Sequence, residues 1–433
     1  MYDIAPPAVF VHRDILANPQ WKARVDGVVR ALQKPVQPTV FCDDDLPKMV
    51  EDGLAARRTP MLGHNPVTDP ILLFNVFRFD NEFETKADAL RHGGMQDGRG
   101  LRALLGYGAF HWAGYNQEGD PNRNDKVCRP CWRIHQQAGC LHRCTYCGLG
   151  GLLVSSVNIE EYCVHLDEII RRHPWQKTYL LDDDADPPCL EPEHGVLGAL
   201  IEHFGTLEHR YLIVHTKTWN TAWLRDLDHR GNTIFVWSIS GPAQSRLIEP
   251  KTGTTDQRIL AARIAQEAGY TVRYKFKPIV PVRTWREDAA YAVAKIFEMT
   301  RPDVISLCVW MWHDVDEMKE RLDVNLLDPA FLKVAEEARE EVAQTRTRPF
   351  PQRARQKIYA HYLAEIRKHD RDMPVSLSTE SFDMWKEMGP ELGYKASDYV
   401  CGCGPTTTPG AREVSCHPFR DAVPDREGLK CTF

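Results

Sequence analysis

The sequence predicts an α/β protein: a partial (β/α)6 barrel of TIM type over residues 132–315, with an amino-terminal α/β extension and a Cys-rich carboxyl-terminal extension. Three observations predict it. Six short runs rich in β-branched and aromatic residues alternate in regular order with amphipathic runs. Such alternation implies parallel strands joined by right-handed crossovers. Three cysteines and a set of glycines follow the first run, at the end of the strand where the loops of such a fold converge.

The elements follow in chain order. Residues 1 to about 80 read as a small α/β portion, followed by a polar, Gly-containing insertion to about 127. The barrel strands are "CWRIHQQAG", "KTYLLDD", "RYLIVHTK", "NTIFVWSIS", "TVRYKFKPIV" and "DVISLCVWMW". Between them, "NIEEYCVHLDEIIRRH", "HGVLGALIEHFG", "NTAWLRDLDH", "TTDQRILAARIAQEAG" and "WREDAAYAVAKIFEMTR" carry apolar residues at helical spacing. Helices are expected near 329–345 and 353–369, before "PVSLSTESFDMWKEMG" and a Gly/Pro/Cys tail. The expected divisions are 1–131, 132–315 and 316–433. The basic run "RTRTRPFPQRARQK" at 346–357 reads as a solvated linker.

Composition bounds the function. Hydrophobic residues make up 43% and charged residues 26% of 433, with no apolar run near the roughly 18 residues of a membrane span. "MYDIAPPAVFVHRDIL" lacks the basic start and apolar core of a secretion signal, so a soluble, cytoplasmic protein is expected. In a reducing compartment thirteen cysteines point to metal or catalysis rather than disulfides. The net charge of −6 gives no global field for a polyanion, so a nucleic-acid partner needs a local basic patch.

"AGCLHRCTYCGLGG" sets Cys140, Cys144 and Cys147 in C-x3-C-x2-C spacing. Thiolates suit both zinc and iron–sulfur clusters, but a structural zinc site takes four ligands. Three thiolates can hold three irons of a [4Fe-4S] cube and leave the fourth open. This loop resembles that of the radical SAM superfamily, in which the open iron chelates S-adenosylmethionine and the reduced cluster cleaves it to methionine and a 5′-deoxyadenosyl radical. Tyr146 matches the aromatic residue that stands before the last cysteine there. His142 reads as a packing residue of the loop, while Gly148, Gly150 and Gly151 let the backbone pass close to a bulky cofactor.

Most of the chain resembles the spore photoproduct lyase family, as a divergent member. The likeness is carried by "VFVHRDILANPQWKARVDGVVRAL", "EPKTGTTDQRILAARIAQEAGYTVRYKFKPIVP" and "LSTESFDMWKEMG". It implies that Lys217 and Ser238, at two strand ends, contact S-adenosylmethionine, with Arg258 a further candidate for the same pocket. The family returns a hydrogen to its product through a cysteine and two tyrosines. Here Tyr146 matches the first of those tyrosines, but Gly148 stands where the second would be, and the donor cysteine has no direct counterpart. Cys189 is either a displaced donor or a buried structural thiol.

The acidic turn "DDDAD" puts Asp182, Asp183, Asp184 and Asp186 at a strand's carboxyl end. Asp182 is a candidate for the cofactor's amino group, and Asp183 and Asp184 for proton transfer. Such carboxylates would also repel a phosphate backbone. Six further cysteines, Cys128 and Cys131 in C-x2-C spacing and Cys401, Cys403, Cys416 and Cys431 in the tail, suggest a second Fe–S cluster. Zinc is the rival there, with His417 as a spare ligand.

The expected function is a radical SAM enzyme that abstracts hydrogen from a small or medium substrate, such as a nucleoside or natural-product precursor. Its expected electron source is a flavodoxin or ferredoxin-type reductant. The alternatives are photoproduct lyase-like repair or modification of nucleic acid, and a non-enzymatic Cys-rich metal or redox module.

Overall fold

The computed structural model describes residues 1–54, 69–113, 126–183, 185–396 and 398–410. Among the described residues thirteen strands form two sheets: β1 (Val9–His12), β2 (Thr39–Phe41), β3 (Ile71–Asn75), β4 (Phe110–Ala113), β5 (Cys131–Ile134), β6 (Gln137–Ala138), β7 (Leu152–Ser156), β8 (Thr178–Leu181), β9 (Tyr211–Thr216), β10 (Thr233–Ile239), β11 (Thr271–Ile279), β12 (Ile305–Val309) and β13 (Val375–Leu377). The larger sheet has the order β13-β12-β11-β10-β9-β8-β5-β4 and the smaller β2-β1-β3-β7-β6.

Six parallel strands, β5 and β8 to β12, lie side by side in sequence order, as the alternation predicts. They do not close into a barrel. The sheet has two edges, parallel β13 on one side and antiparallel β4 on the other. Four of the five expected connecting helices form, at Ile159–Arg172, Val196–Thr206, Thr255–Glu267 and Trp285–Met299. "NTAWLRDLDH" instead makes only a 3-10 turn, Ala222–Asp226, whose buried side chains, Trp223 and Leu224, are adjacent and cannot define a helical stripe.

The sheets do not divide at residue 131. β7, which follows the cysteine loop, pairs with β3 of the amino-terminal portion, while β4 from that portion edges the large sheet. β3 is buried on both faces and reads as a continuous apolar run, Ile71 to Phe74. Along β3, Leu72 and Phe74 pack into one core, and Ile71 and Leu73 into another. A third, larger core fills the space between the large sheet and its helices.

The carboxyl-terminal part forms helices Pro329–Glu337, Arg339–Val342, Gln352–His369 and Phe382–Leu392 around β13. The basic run at 346–357 is not a solvated linker. Arg355 is buried and donates to Glu380 at 2.7 and 3.2 Å, and Tyr359 donates to the same carboxylate. Among the described residues no helix is long and apolar enough to cross a membrane.

Candidate active site

β5 ends at Ile134, where the chain leaves the large sheet for the small one. Asp182 holds this crossing: it accepts from the backbone N–H of Gln136 and Gln137 at 3.0 and 3.1 Å and bonds His135 Nδ1 at 2.9 Å. β6 and β7 then pair antiparallel, so the cysteine segment is the tip of a hairpin clamped at both ends. Gly139, at φ +96°, sets the entry. A Cβ there would lie 2.0 Å from the Leu152 carbonyl oxygen, so only glycine fits.

The tip is braced by residues 248–251. Arg143 N–H donates to Pro250 O and Thr145 N–H to Ile248 O, at 3.0 and 2.9 Å, while His142 Nδ1 lies 2.6 Å from Lys251 O. Tyr146 donates to Glu249 at 2.7 Å. Cys140, Cys144 and Cys147 all border one cavity of about 520 Å³, together with Tyr146, Gly148, Lys217 and Ser238. Gly150 lies in the same loop but does not border the cavity.

The donor set fits a cluster with an open position. The three thiols are soft donors, and Cys140 and Cys147 sulfurs accept N–H bonds from His142 and Leu149 at 3.4 Å. Burial pushes the Cys144 thiol up to about 12 and Cys140 well above its ordinary value. A bound cation would favour the thiolate forms of Cys140 and Cys144. Lys217 Nζ stands 5.7 Å from the centre of the Tyr146 ring, beside the same loop.

Several expected site residues lie elsewhere. Arg258 does not border the cavity: it is fully buried and its guanidinium is spent on Glu249 at 2.6 Å, Gly253 O at 2.6 Å and Ser238 O at 3.0 Å. It supports Glu249, and through it Tyr146, from behind. Cys189 is buried under the loop, 3.7 Å from His142 Nε2, and is not on the cavity wall. The C-x2-C pair splits, with Cys128 on the cavity and Cys131 in β5, where burial pushes its thiol up to about 12. Cys401 and Cys403 lie near Cys128. Asp184, Cys416, His417 and Cys431 lie outside the described residues.

Among the described residues of the acidic turn, Asp182, Asp183 and Asp186 all have protein partners. Burial pushes Asp182 up to about 7. Burial would also raise Asp183, but the Arg133 and Arg99 guanidiniums outweigh it and hold that carboxyl well below the usual range. Asp183 pairs with Arg99 at 2.7 Å and closely with Arg133. Asp186 accepts from His142 Nε2, Thr216 Oγ1 and Lys217 N–H at 2.7–2.8 Å. The expected repulsion of phosphate is therefore answered within the protein.

The cavity also has a cationic and aromatic lining, which sequence reasoning missed. Lys126, Lys275, Lys277, Arg321 and Arg346 reach the cavity, with Trp310 and Trp312. Lys277 and Arg346 lie 5.0 and 5.5 Å from the Trp312 ring centre. Trp312 sits at φ +79°, a left-handed conformation that a bulky residue keeps only where its surroundings impose it. The signal was present in "TVRYKFKPI". Arg273, Lys275 and Lys277 alternate with Tyr274 and Phe276, so period two puts three cations on one face of β11.

Comparison with known proteins gives the site its context. The spore photoproduct lyase family model matches residues 130–308. Spore photoproduct lyase of Bacillus subtilis (strain 168) is 29% identical over 173 residues, covering 38% of this chain and 51% of that protein. The Clostridium acetobutylicum enzyme of the same name is 25% identical over 172 residues, again 38% and 51%. These matches span about half the length of the curated relatives. Among solved structures, a cysteine-to-serine mutant of spore photoproduct lyase superposes with a TM-score of 0.57 at 14% identity, covering 87% of this chain and 99% of that one. A mutant with bound AdoMet and dinucleoside spore photoproduct gives 0.55 at 15% identity, with the same coverage. The mixed α/β fold is thus shared along nearly the whole of those structures. With three loop cysteines in C-x3-C-x2-C spacing at the mouth of that fold, the chain is similar to the spore photoproduct lyases, a likeness that the family model carries over residues 130–308.

Proposed function

We propose that the chain is a radical SAM enzyme whose substrate is a phosphate-bearing nucleobase unit, free or within nucleic acid. One observation carries this reading: a single cavity is lined both by Cys140, Cys144, Cys147, Lys217 and Ser238 and by Lys126, Lys277, Arg346 and Trp312. When bound, a [4Fe-4S] cluster and S-adenosylmethionine supply reductive cleavage and a 5′-deoxyadenosyl radical for hydrogen abstraction.

The chain's own residues do the rest. Cys140, Cys144 and Cys147 are the cluster ligands, on a hairpin tip whose braces fix their spacing. Lys217 offers an ammonium for the carboxylate of S-adenosylmethionine and Ser238 a hydroxyl for its ribose. Lys277, Arg346 and Trp312 offer cations for phosphate and an aromatic face for a base. With the acidic turn neutralised from within, the cavity favours an anionic substrate over an uncharged natural-product precursor.

Repair of a DNA photoproduct is the form of this reading closest to the relatives, one of which is solved with dinucleoside spore photoproduct. The resemblance puts Gly148 where the family's second tyrosine would stand, and it gives the donor cysteine no direct counterpart. Incubation of anaerobically reconstituted protein with S-adenosylmethionine, dithionite and deuterated thymidine dinucleotides, intact or photodamaged, tests the substrate. The reading expects deuterium in the 5′-deoxyadenosine formed with a dinucleotide. Equal unlabelled product with and without nucleotides would overturn it.

A further inference from the structure

The tail after the last helix plugs the end of the large sheet opposite the cysteine loop. Pro405 O accepts from the backbone N–H of Lys177 and Thr178, which open β8, and Arg273 near the start of β11 donates to Gly402, Thr407 and Thr408 carbonyls at 3.0–3.1 Å. Arg273 has no solvent exposure and is gripped by Asp303 at 2.7 and 3.0 Å. The glycines that follow each cysteine are required by close packing. A Cβ at Gly402 would lie 2.7 Å from Ser306 Oγ, and one at Gly404 2.9 Å from Cys401 Cβ.

This plug carries thiols to the cavity. Cys403 borders it together with Cys128, His215 and Lys275, and Cys401 is hydrogen-bonded to Cys403. Lys275, 5% exposed, points its ammonium at the Cys403 sulfur at 3.5 Å, and His215 lies beside the same thiol with its Nε2 lacking a hydrogen-bond partner. A buried ammonium facing thiols suits a centre whose net charge is negative, as three thiolates on a dicationic core would be.

We propose that Cys128, Cys401 and Cys403 ligate a second iron–sulfur cluster at the floor of the cavity, with His215 as the available fourth donor. A cluster and a single zinc ion set different distances between their thiolates. Thiolates on one zinc, each at about 2.3 Å, crowd together, whereas each thiolate of a cluster takes its own iron and stands farther away. Among the described residues only His142, Asp186 and Cys189 bring three ligand atoms within 4.8 Å of one another. That trio is already committed, because both nitrogens of His142 and both oxygens of Asp186 have protein partners.

The site rests on the thiols alone, so its test is separable from the S-adenosylmethionine reading. The full chain carrying Cys140→Ala, Cys144→Ala and Cys147→Ala is reconstituted anaerobically with ferrous iron and sulfide. Iron and sulfide are counted, and the dithionite-reduced protein is examined by electron paramagnetic resonance. The expected result is about half the iron of the parent chain and a reduced-cluster signal, both lost when Cys401→Ser and Cys403→Ser are added. In the otherwise unaltered chain, Cys128→Ser, outside the tail, also removes about half of the iron while circular dichroism stays unchanged. Absence of iron from the triple variant, iron insensitive to Cys128, Cys401 and Cys403, or stoichiometric zinc in place of iron each overturns the proposal.

Discussion

The Tyr146 hydroxyl donates to Glu249 Oε1 at 2.7 Å, while Glu249 Oε2 takes Arg258 at 2.6 Å and Ser240 at 2.9 Å. Glu249 therefore holds the aromatic residue of the cysteine loop. Burial would raise its carboxyl, but Arg258, Lys217 and the Tyr146 hydrogen bond outweigh it and lower Glu249 to about 2. Arg258→Met leaves a buried carboxylate without its cation, and unfolding free energy should fall by about 3–5 kcal/mol. Urea denaturation checks this, and Arg258→Lys should recover little because a lysine cannot reproduce the fork.

Gly139→Ala should disrupt the hairpin that carries the cysteines. The new methyl meets the Leu152 carbonyl and the φ of +96° is unsuited to alanine. A loss of about 1–3 kcal/mol is expected for the backbone conformation alone. Iron retained after reconstitution should fall in parallel, whereas Gly53→Ala, where nothing lies within 4 Å, should keep it.

The cationic wall should show as salt dependence. Lys277→Ala with Arg346→Ala should weaken binding of a fluorescent thymidine dinucleotide and flatten its log–log salt slope by about 1–2. An unchanged slope would remove these residues from phosphate binding.

Affinity for the same probe should fall as pH rises from 7 to 9. Burial, with Arg346 nearby, pushes Lys126 down to about 8 from an ordinary 10.5, so the wall loses a cation over this range. The sign for stability is opposite. A depressed lysine costs stability while charged, and that cost lifts as pH rises between about 8 and 10.5, where the unfolded chain holds more protons. Lys126→Met should flatten both profiles.

Much of this was legible in the sequence. The strand runs from β8 to β12 carry unbroken β-rich signals, and the C-x3-C-x2-C spacing marked the loop. β7 was not found, because "LLVSS" is five residues beside a glycine run and its pairing with β3 spans about eighty residues. The role of Arg258 was misplaced because its context is shared with a cofactor pocket, while only the fold shows that its fork is filled from behind. The acidic turn misled for the same reason. Arg99 and Arg133 neutralise Asp183 from distant segments, and no local pattern announces them. Arg346 was assigned to a linker because charge runs do so by default, yet the turn after Val342 carries it to Trp312.

The central claim is that Cys140, Cys144 and Cys147 support cleavage of S-adenosylmethionine. Its most direct measurement is 5′-deoxyadenosine formed by the anaerobically reconstituted chain with dithionite, detected by mass spectrometry. The parent protein should form it, and the Cys140→Ala/Cys144→Ala/Cys147→Ala variant should fall to the no-protein background. Equal formation by both proteins, or none by an iron-loaded parent, would contradict the account.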